Sequence, residues 1–381
     1  MKKYYAPQVS KSIIKAGIVL IILANLIFAA RFMAIELGYY EHQWVQNLII
    51  YPGGISLGAL CISFAAVLTI DVVTFMMKAL KKPSLSEFSI GPGENPPLST
   101  DPESGRRRFL KTAGLAAVSA PFGITIGTAA ATAHDYKIIR KDLFFDNLPA
   151  GLDGLKIAQV SDIHSGIYMT QHQIHEIFEI TNSLHPNLVT ITGDFVDTSR
   201  NELPALYNTV RNLKSDYGTY GCLGNHDHYA SGPVVSSAME QRGVKMLVNS
   251  NDSLRINGEN LTLLGVDDFG SGKHNRARID HALNNIDQDT FKVLLSHRPE
   301  LFDVAHQQGV DLTLSGHTHG GQIGMDILGV PIYPIRLIYN YSNGLYQQGD
   351  KKLYVNVGVG MVGIPIRMVK PEISLLTLRQ S

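Results

Sequence analysis

The sequence predicts an α/β catalytic domain behind an apolar N-terminal module. Three observations lead there. From Tyr136 onward, short apolar runs alternate with segments of helical periodicity. Metal-type residues follow directly after five of those runs. Before Tyr136, the chain carries apolar stretches that lack the polar stripe of a soluble helix.

The 381 residues leave room for one large domain and an extra module. Lys+Arg and Asp+Glu both number 33, so the charge points to neither a nucleic-acid binder nor an acidic tail. No nucleic-acid partner is expected. Of the two cysteines, Cys61 sits in an apolar run and Cys222 ends an expected core strand. Both read as small buried hydrophobes, and no disulfide is expected.

The N-terminal module, residues 1–82, holds two apolar runs, Ile13–Ala30 and Ile49–Met77. A spanning helix needs about 20 apolar residues, and both runs qualify. Lys2, Lys3 and Lys11 precede the first run, and Lys78, Lys81 and Lys82 follow the second. The excess of basic residues places both ends in the cytoplasm and the Arg31–Gln46 loop outside. Residues 83–105, rich in Pro, Gly and Ser, read as a cytoplasmic linker.

Residues 106–133 begin with Arg106-Arg107-Arg108-Phe109-Leu110-Lys111 and end in Ala131-Thr132-Ala133. The block resembles a twin-arginine export signal with an A-x-A cleavage pattern. Gly105 stands where that pattern usually has Ser or Thr. The other reading is a third span with a basic flank. Either way, residues 134–381 lie outside the cytoplasm, at the cell membrane. Twin-arginine export carries folded proteins, so the export machinery is an expected partner and metals could be loaded before crossing. Cleavage after Ala133 and retention as an anchor both remain open.

In the catalytic domain the expected strands are Leu155–Val160, Leu188–Thr192, Tyr217–Leu223, Leu261–Val266, Lys292–Leu295, Leu312–Leu314, Lys352–Val357 and Ile373–Leu378. Helices are expected over Gln171–Ser183, Leu203–Leu213, Val234–Arg242 and Leu301–Gln308. Five blocks follow strand ends: Asp162-Ile163-His164, Gly193-Asp194 with Asp197, Gly224-Asn225-His226-Asp227, Ser296-His297-Arg298, and Gly316-His317-Thr318-His319. Ligands gather beyond the carboxyl ends of strands in such sheets, so the blocks can converge. His and carboxylate donors suit manganese, zinc or iron, and no thiolate set argues for a zinc cage. Two such ions bind phosphate oxygens and lower the pKa of a bridging water for in-line attack. A lone histidine is more often structural; five blocks in order make a metal site the expectation.

These residues resemble the calcineurin-like metallophosphoesterase superfamily, by motif over about Leu155 to Gly321. The resemblance implies a four-layer α/β sandwich and a two-metal phosphoesterase. It implies that Asp162, His164, Asp194 and His319 hold one ion, and Asp194, Asn225, His297 and His317 the other. His226 would protonate the leaving group or stabilise the phosphate, with Asp197 orienting it. Where protein phosphatases of the superfamily carry an Arg directly after the second Asp of the Gly-Asp block, this chain has Thr198. That departure counts against a protein phosphatase.

The sequence most resembles the bacterial branch with a membrane segment or export signal, which has been linked to envelope lipid and phosphodiester cleavage. A lipid-linked phosphodiester is therefore the first substrate expectation. Arg298 reads equally as a phosphate ligand or a surface salt bridge, and His228 as a solvated loop residue. The apolar Ile323–Tyr341 segment reads as packing or a strand beneath the site, or as a greasy rim at a membrane surface. Two other function classes stay in view, a non-catalytic binding module and a phosphate sensor. The first would require lost ligands, whereas every expected position is filled.

Overall fold

The computed structural model describes residues 135–381, apart from 269–274, 288, 323–324, 328–329, 364 and 366, together with most of 26–58 and positions 68 and 71. In chain order the catalytic domain runs β1 (Lys137–Phe145), β2 (Lys156–Val160), α1 (Gln171–Ser183), β3 (Leu188–Thr192), α2 (Leu203–Thr209), β4 (Thr219–Cys222), α3 (Asn225–Tyr229), α4 (Gly232–Glu240), β5 (Val244–Met246) and β6 (Ser250–Ile256). It continues through β7 (Glu259–Gly265), α5 (Asn275–Ala282), β8 (Phe291–Leu295), α6 (Phe302–Ala305), β9 (Leu312–Ser315), β10 (Met325–Ile327), β11 (Val330–Ile332), β12 (Gly344–Gln348), β13 (Lys351–Val355) and β14 (Glu372–Gln380). Two six-stranded sheets result, ordered β1-β14-β2-β3-β4-β5 and β12-β13-β9-β8-β7-β6.

Strand alternation builds the layers. Ile157, Leu188 and Cys222 point inward and pack against Leu263, Val293 and Leu312 of the other sheet. Their neighbours Ala158 and Val189 point outward and meet Ile174, Phe178, Leu206 and Val235 of α1, α2 and α4. On the second sheet, Leu264 and Leu294 point outward onto Ile279 of α5 and Ala305 of α6. The order is helix, sheet, sheet, helix, the four layers that the family resemblance implies. Cys222 is a free thiol buried between the sheets.

Central strands match the sequence reading because they are buried on both faces and read as continuous apolar runs. β3 and β8 are buried at every position. The strands that the sequence does not suggest are β1, β5, β6, β12 and the β10–β11 hairpin. β1 reads Lys-Ile-Ile-Arg-Lys-Asp-Leu-Phe-Phe and buries only Leu143 and Phe145, as an edge strand does. It pairs in parallel with β14 along its full length. α1 starts where expected, because Thr170 and Gln173 form a capping box, with Thr170 N donating to Gln173 Oε1 at 2.8 Å.

The Ile323–Tyr341 segment is no strand beneath the site. β10 and β11 form a hairpin apart from both sheets, and a short helical turn, Pro334–Leu337, follows. Leu337 and Ile338 are 90% and 76% exposed.

Among the described residues, no helix is long and apolar enough to cross a membrane. Most of the two apolar runs, the 83–105 linker and the 106–133 signal block lie outside the described residues. What is described, helical stretches within 26–37 and 43–58, packs against the catalytic domain. Ala34, Val45, Ile50 and Tyr51 bury themselves with Tyr168 and Met361.

Candidate metal centre

All five blocks meet at the carboxyl edge of the two sheets. β2, β3 and β4 of the first sheet deliver Asp162 and His164, Asp194, and Asn225 with His226. β8 and β9 of the second deliver His297, then His317 and His319. Five of these residues, Asp162, His164, Asp194, His317 and His319, hold left-handed backbone with φ between 47° and 71°. Non-glycine residues adopt that region at a cost, and such strain concentrates at functional sites. Two glycines allow the close approach. A Cβ on Gly224 would overlap the Asp194 carboxylate, and one on Gly316 would overlap Ser161 and Asp162.

The donors fall into overlapping triads: Asp162, His164 and His319; His164, Asp194 and His226; Asp194, His297 and His317. Within each triad the ligand atoms lie within 4.8 Å of one another. Asp194 Oδ2 is 3.1 Å from His297 Nε2 and 3.6 Å from His164 Nε2, so it joins the two sides. His164 and His319 face each other, Nε2 to Nε2, at 3.1 Å. His319 Nε2 is 3.3 Å from Asp162 Oδ1. His317 Nδ1 faces His297 Nε2 at 3.2 Å.

Second contacts set the tautomers. His297 Nδ1 lies 2.9 Å from the Thr192 carbonyl, so it donates there and leaves the Nε2 lone pair for a cation. His226 Nδ1 lies 2.5 Å from the main-chain carbonyl of Asp197. Orientation of His226 thus comes from the Asp197 backbone more than from its carboxylate, whose Oδ1 is 3.6 Å from His226 Nδ1 but 3.2 Å from His164 Nδ1. A sequence shows side chains only, so this exchange of roles could not be read from it.

The electrostatics fit a cation pair. Burial opposes charge on Asp194, yet His297 and His164 hold its carboxyl well below the usual range. Burial disfavours a proton on His297, but Asp194 outweighs it and lifts the imidazole to about 10. Burial and the charges of His297 and Arg298 push His317 down to about 3. A proton on His297 satisfies Asp194 much as a divalent cation would. Asn225 Oδ1 is buried with no hydrogen-bond partner, a further ligand atom of the right kind. The residues therefore fit two divalent ions.

Three supporting groups escape the sequence reading. Asp227 is fully buried and accepts backbone N–H bonds from Phe195 at 2.8 Å, Val196 at 3.2 Å and Gly224 at 2.9 Å. It ties the Asp194 loop to the Asn225 loop; burial and Asp194 raise its carboxyl to about 7. Its place in the Gly-Asn-His-Asp block was the available signal. Tyr339 sets its hydroxyl 3.3 Å from His317 Nε2. Asp268 accepts from Arg298 Nε at 2.6 Å, while Arg298 NH1 lies 3.1 Å from His317 Nε2. Arg298 is thus both a salt-bridge partner and a neighbour of the cluster. His228 is not simply solvated, because Asp267 lies 2.7 Å from its Nε2.

Comparison with known proteins agrees with this geometry. Residues 155–321 match the family model described as calcineurin-like phosphoesterase. The metallophosphoesterase YkuE of Bacillus subtilis is 32% identical over 286 residues, which is 72% of this chain and 98% of that relative. The chain belongs to the calcineurin-like phosphoesterase family. The metallophosphoesterase Cj0846 of Campylobacter jejuni is also 32% identical, over 59% of each chain. A zebrafish (Danio rerio) transmembrane protein with a metallophosphoesterase domain is 29% identical, over 64% of this chain and 58% of that one. The chain thus spans under two thirds of the length of these last two relatives. As a phosphoesterase of this family it is a metal-dependent hydrolase of phosphoric esters.

Proposed function

We propose that this phosphoesterase hydrolyses phosphodiesters, lipid-linked ones first among them, at the outer face of the membrane that anchors it. The observation that carries the two-metal reading is Asp194, whose single carboxylate faces both His164 and His297, histidines of different triads. Asp162, His164 and His319 would hold one ion with Asp194. His297, His317 and Asn225 would hold the other. Bound there, two divalent ions neutralise phosphate charge and lower the pKa of the attacking water.

The chain's own groups account for the rest. His226 commits Nδ1–H to the Asp197 carbonyl, so Nε2 is the ring atom left to face the leaving oxygen and would pass a proton to it from the imidazolium form. Arg298 can only donate, as can His317 Nε2 once a cation occupies Nδ1 and the ring proton sits on Nε2. Tyr339 oxygen would then accept a hydrogen bond from His317 Nε2–H, and the Arg298 guanidinium would serve phosphate oxygens while Asp268 retains Nε. Thr198 beside Asp197 supports a substrate other than a phosphoprotein. The exposed Leu337 and Ile338, close in sequence to Tyr339, support an acyl-bearing substrate. The basic flanks and the Arg106–Lys111 block support the outside location and twin-arginine export.

The test uses full-length protein in detergent, loaded separately with manganese, zinc or iron and assayed on phosphomonoesters, phosphodiesters and phospholipids. Diesters are expected to turn over fastest. His226→Ala should keep both metals and lose about 10²–10⁴-fold in turnover. A fully metallated wild type that cleaves none of the esters overturns the proposal. A reporter fused after Ser381 that works only outside the cytoplasm tests the location, and silence there overturns it.

A further inference from the structure

The N-terminal stretch does more than lead into the enzyme. Arg31 NH2 donates to Tyr168 Oη at 2.6 Å, and Gln46 Nε2 donates to the Ile167 carbonyl at 2.7 Å. Tyr51 Oη donates to the Tyr168 carbonyl at 2.8 Å and accepts from Gln173 Nε2 at 3.2 Å. Arg31 is 8% exposed and Gln46 is fully buried, so these are interior contacts that exclude water. The Tyr51 and Tyr168 rings stand 5.9 Å apart, and the Arg31 guanidinium lies 5.6 Å from the Tyr168 ring centroid. Gly54 lies so close to Pro365 and Tyr168 that a Cβ would overlap both.

The segments gripped this way are those that frame Asp162. Tyr168 follows His164 by one short turn, closed by Gly166 N donating to Met169 O at 3.2 Å. Met361, buried against the N-terminal stretch, follows Gly360, whose N donates to the Asp162 carbonyl at 2.8 Å. The opposite face of the stretch keeps Phe32, Met33, Trp44 and Leu48 exposed. One face is thus fitted to the enzyme, and the other is apolar with a tryptophan, as a segment at a membrane interface would be.

We propose that the described residues of 26–58, Arg31, Gln46, Tyr51 and Gly54 above all, are a built-in seat that holds the catalytic domain at the membrane without a covalent link. Were the chain cut after Ala133, the enzyme would stay docked as a two-fragment complex. The same contact steadies the Asp162–His164 loop. The inference rests on the membrane reading above and adds a consequence for topology. Arg31 and Gln46 bound the loop between the two apolar runs, so that loop and the catalytic domain occupy one side of the membrane. If the second run crosses away from that side, the 106–133 run must cross back.

The experiment inserts a protease recognition site between Ala133 and Asp135 of the full-length protein. Membranes are cut and sedimented, and the catalytic fragment is followed in pellet and supernatant in 1 M salt. The seat predicts that most of the fragment stays in the pellet. Arg31→Ala with Tyr168→Ala, or Gly54→Val alone, should release it. Release of wild-type fragment on cutting overturns the proposal. Retention that survives every one of these substitutions also overturns it, because lipid contact of the catalytic domain alone would then be responsible. If the uncut protein itself fails to sediment, the membrane reading fails instead. Co-elution of the two cut fragments in gel filtration then decides the seat, and separate elution refutes it.

Discussion

Around Asp162, His164 and His319 the cluster is sealed, whereas around His297 and His317 it meets the partly exposed Arg298 and Tyr339. The three residues of the first half are 0%, 1% and 5% exposed, and the loop that follows them is gripped by the N-terminal stretch. In the second half, His297 is as buried, but His317 is only partly so and meets the Arg298 guanidinium, whose side chain is 37% exposed. The difference assigns different tasks to similar ligands. The sealed half would hold its ion in a buried frame. The open half would be the one to meet the substrate, because its outer contacts, Arg298 and Tyr339, are groups that can change partner.

Asp194 is where the two halves join, so its loss is the strongest test of whether they act as a unit. Asp194→Ala removes the carboxylate between His164 and His297 and also the acceptor of the His226 backbone N–H at 2.8 Å. Metal content, measured by elemental analysis, is expected to fall in both halves. Turnover should drop by more than the roughly 100-fold that changes to outer contacts produce. Retention of one full equivalent of metal would break the comparison and show two independent sites.

The residues that converge in both halves were legible in the sequence as candidate ligands, because strand ends and metal chemistry constrain residue type and order. Asp162, His164, Asp194, Asn225, His297, His317 and His319 all arrive at one edge, as do His226 and Asp197. Their supports were not legible. Asp268 and Arg298 are 30 positions apart and meet only because β7 and β8 are neighbours. The Asp197 carbonyl that holds His226 is main chain, which every residue has. The fold shows the same division. Doubly buried strands such as β3 and β8 announce themselves, while edge strands β1, β6 and β12 carry mostly polar or half-buried residues and no clear period. Nor could the apolar runs reveal that Arg31, Gln46 and Tyr51 within them or at their borders bind the enzyme's own loop.

A smaller effect sharpens the contrast on the open side. Arg298→Ala removes a guanidinium that belongs to neither ligand set yet touches His317. Metal content should stay at the wild-type level. KM for a phosphodiester should rise about 10-fold, the size of one charged hydrogen bond, with kcat changed less. A loss of metal instead would mean that Arg298 supports the second half and does not serve the substrate.

The smallest effect is expected at the rim, where His228 and Asp267 pair outside both halves. The hydrogen bond that His228 donates to Asp267 is the main reason that it holds its proton more tightly than usual, with burial opposing. A histidine whose pKa is raised on folding contributes stability that is complete below its unfolded value, near 6.5, and is lost as pH rises through the folded value. The contribution should therefore be present at pH 6 and smaller at pH 9. His228→Gln should lower the unfolding midpoint by roughly 2 °C at pH 6, the size of a partly exposed ion pair, and by less at pH 9. Calorimetry at the two pH values checks this. An equal gap at both would mean that the pair contributes by packing alone, through Gly232 against the His228 ring. It would also leave any pH dependence of turnover to the groups of the two halves and to His226.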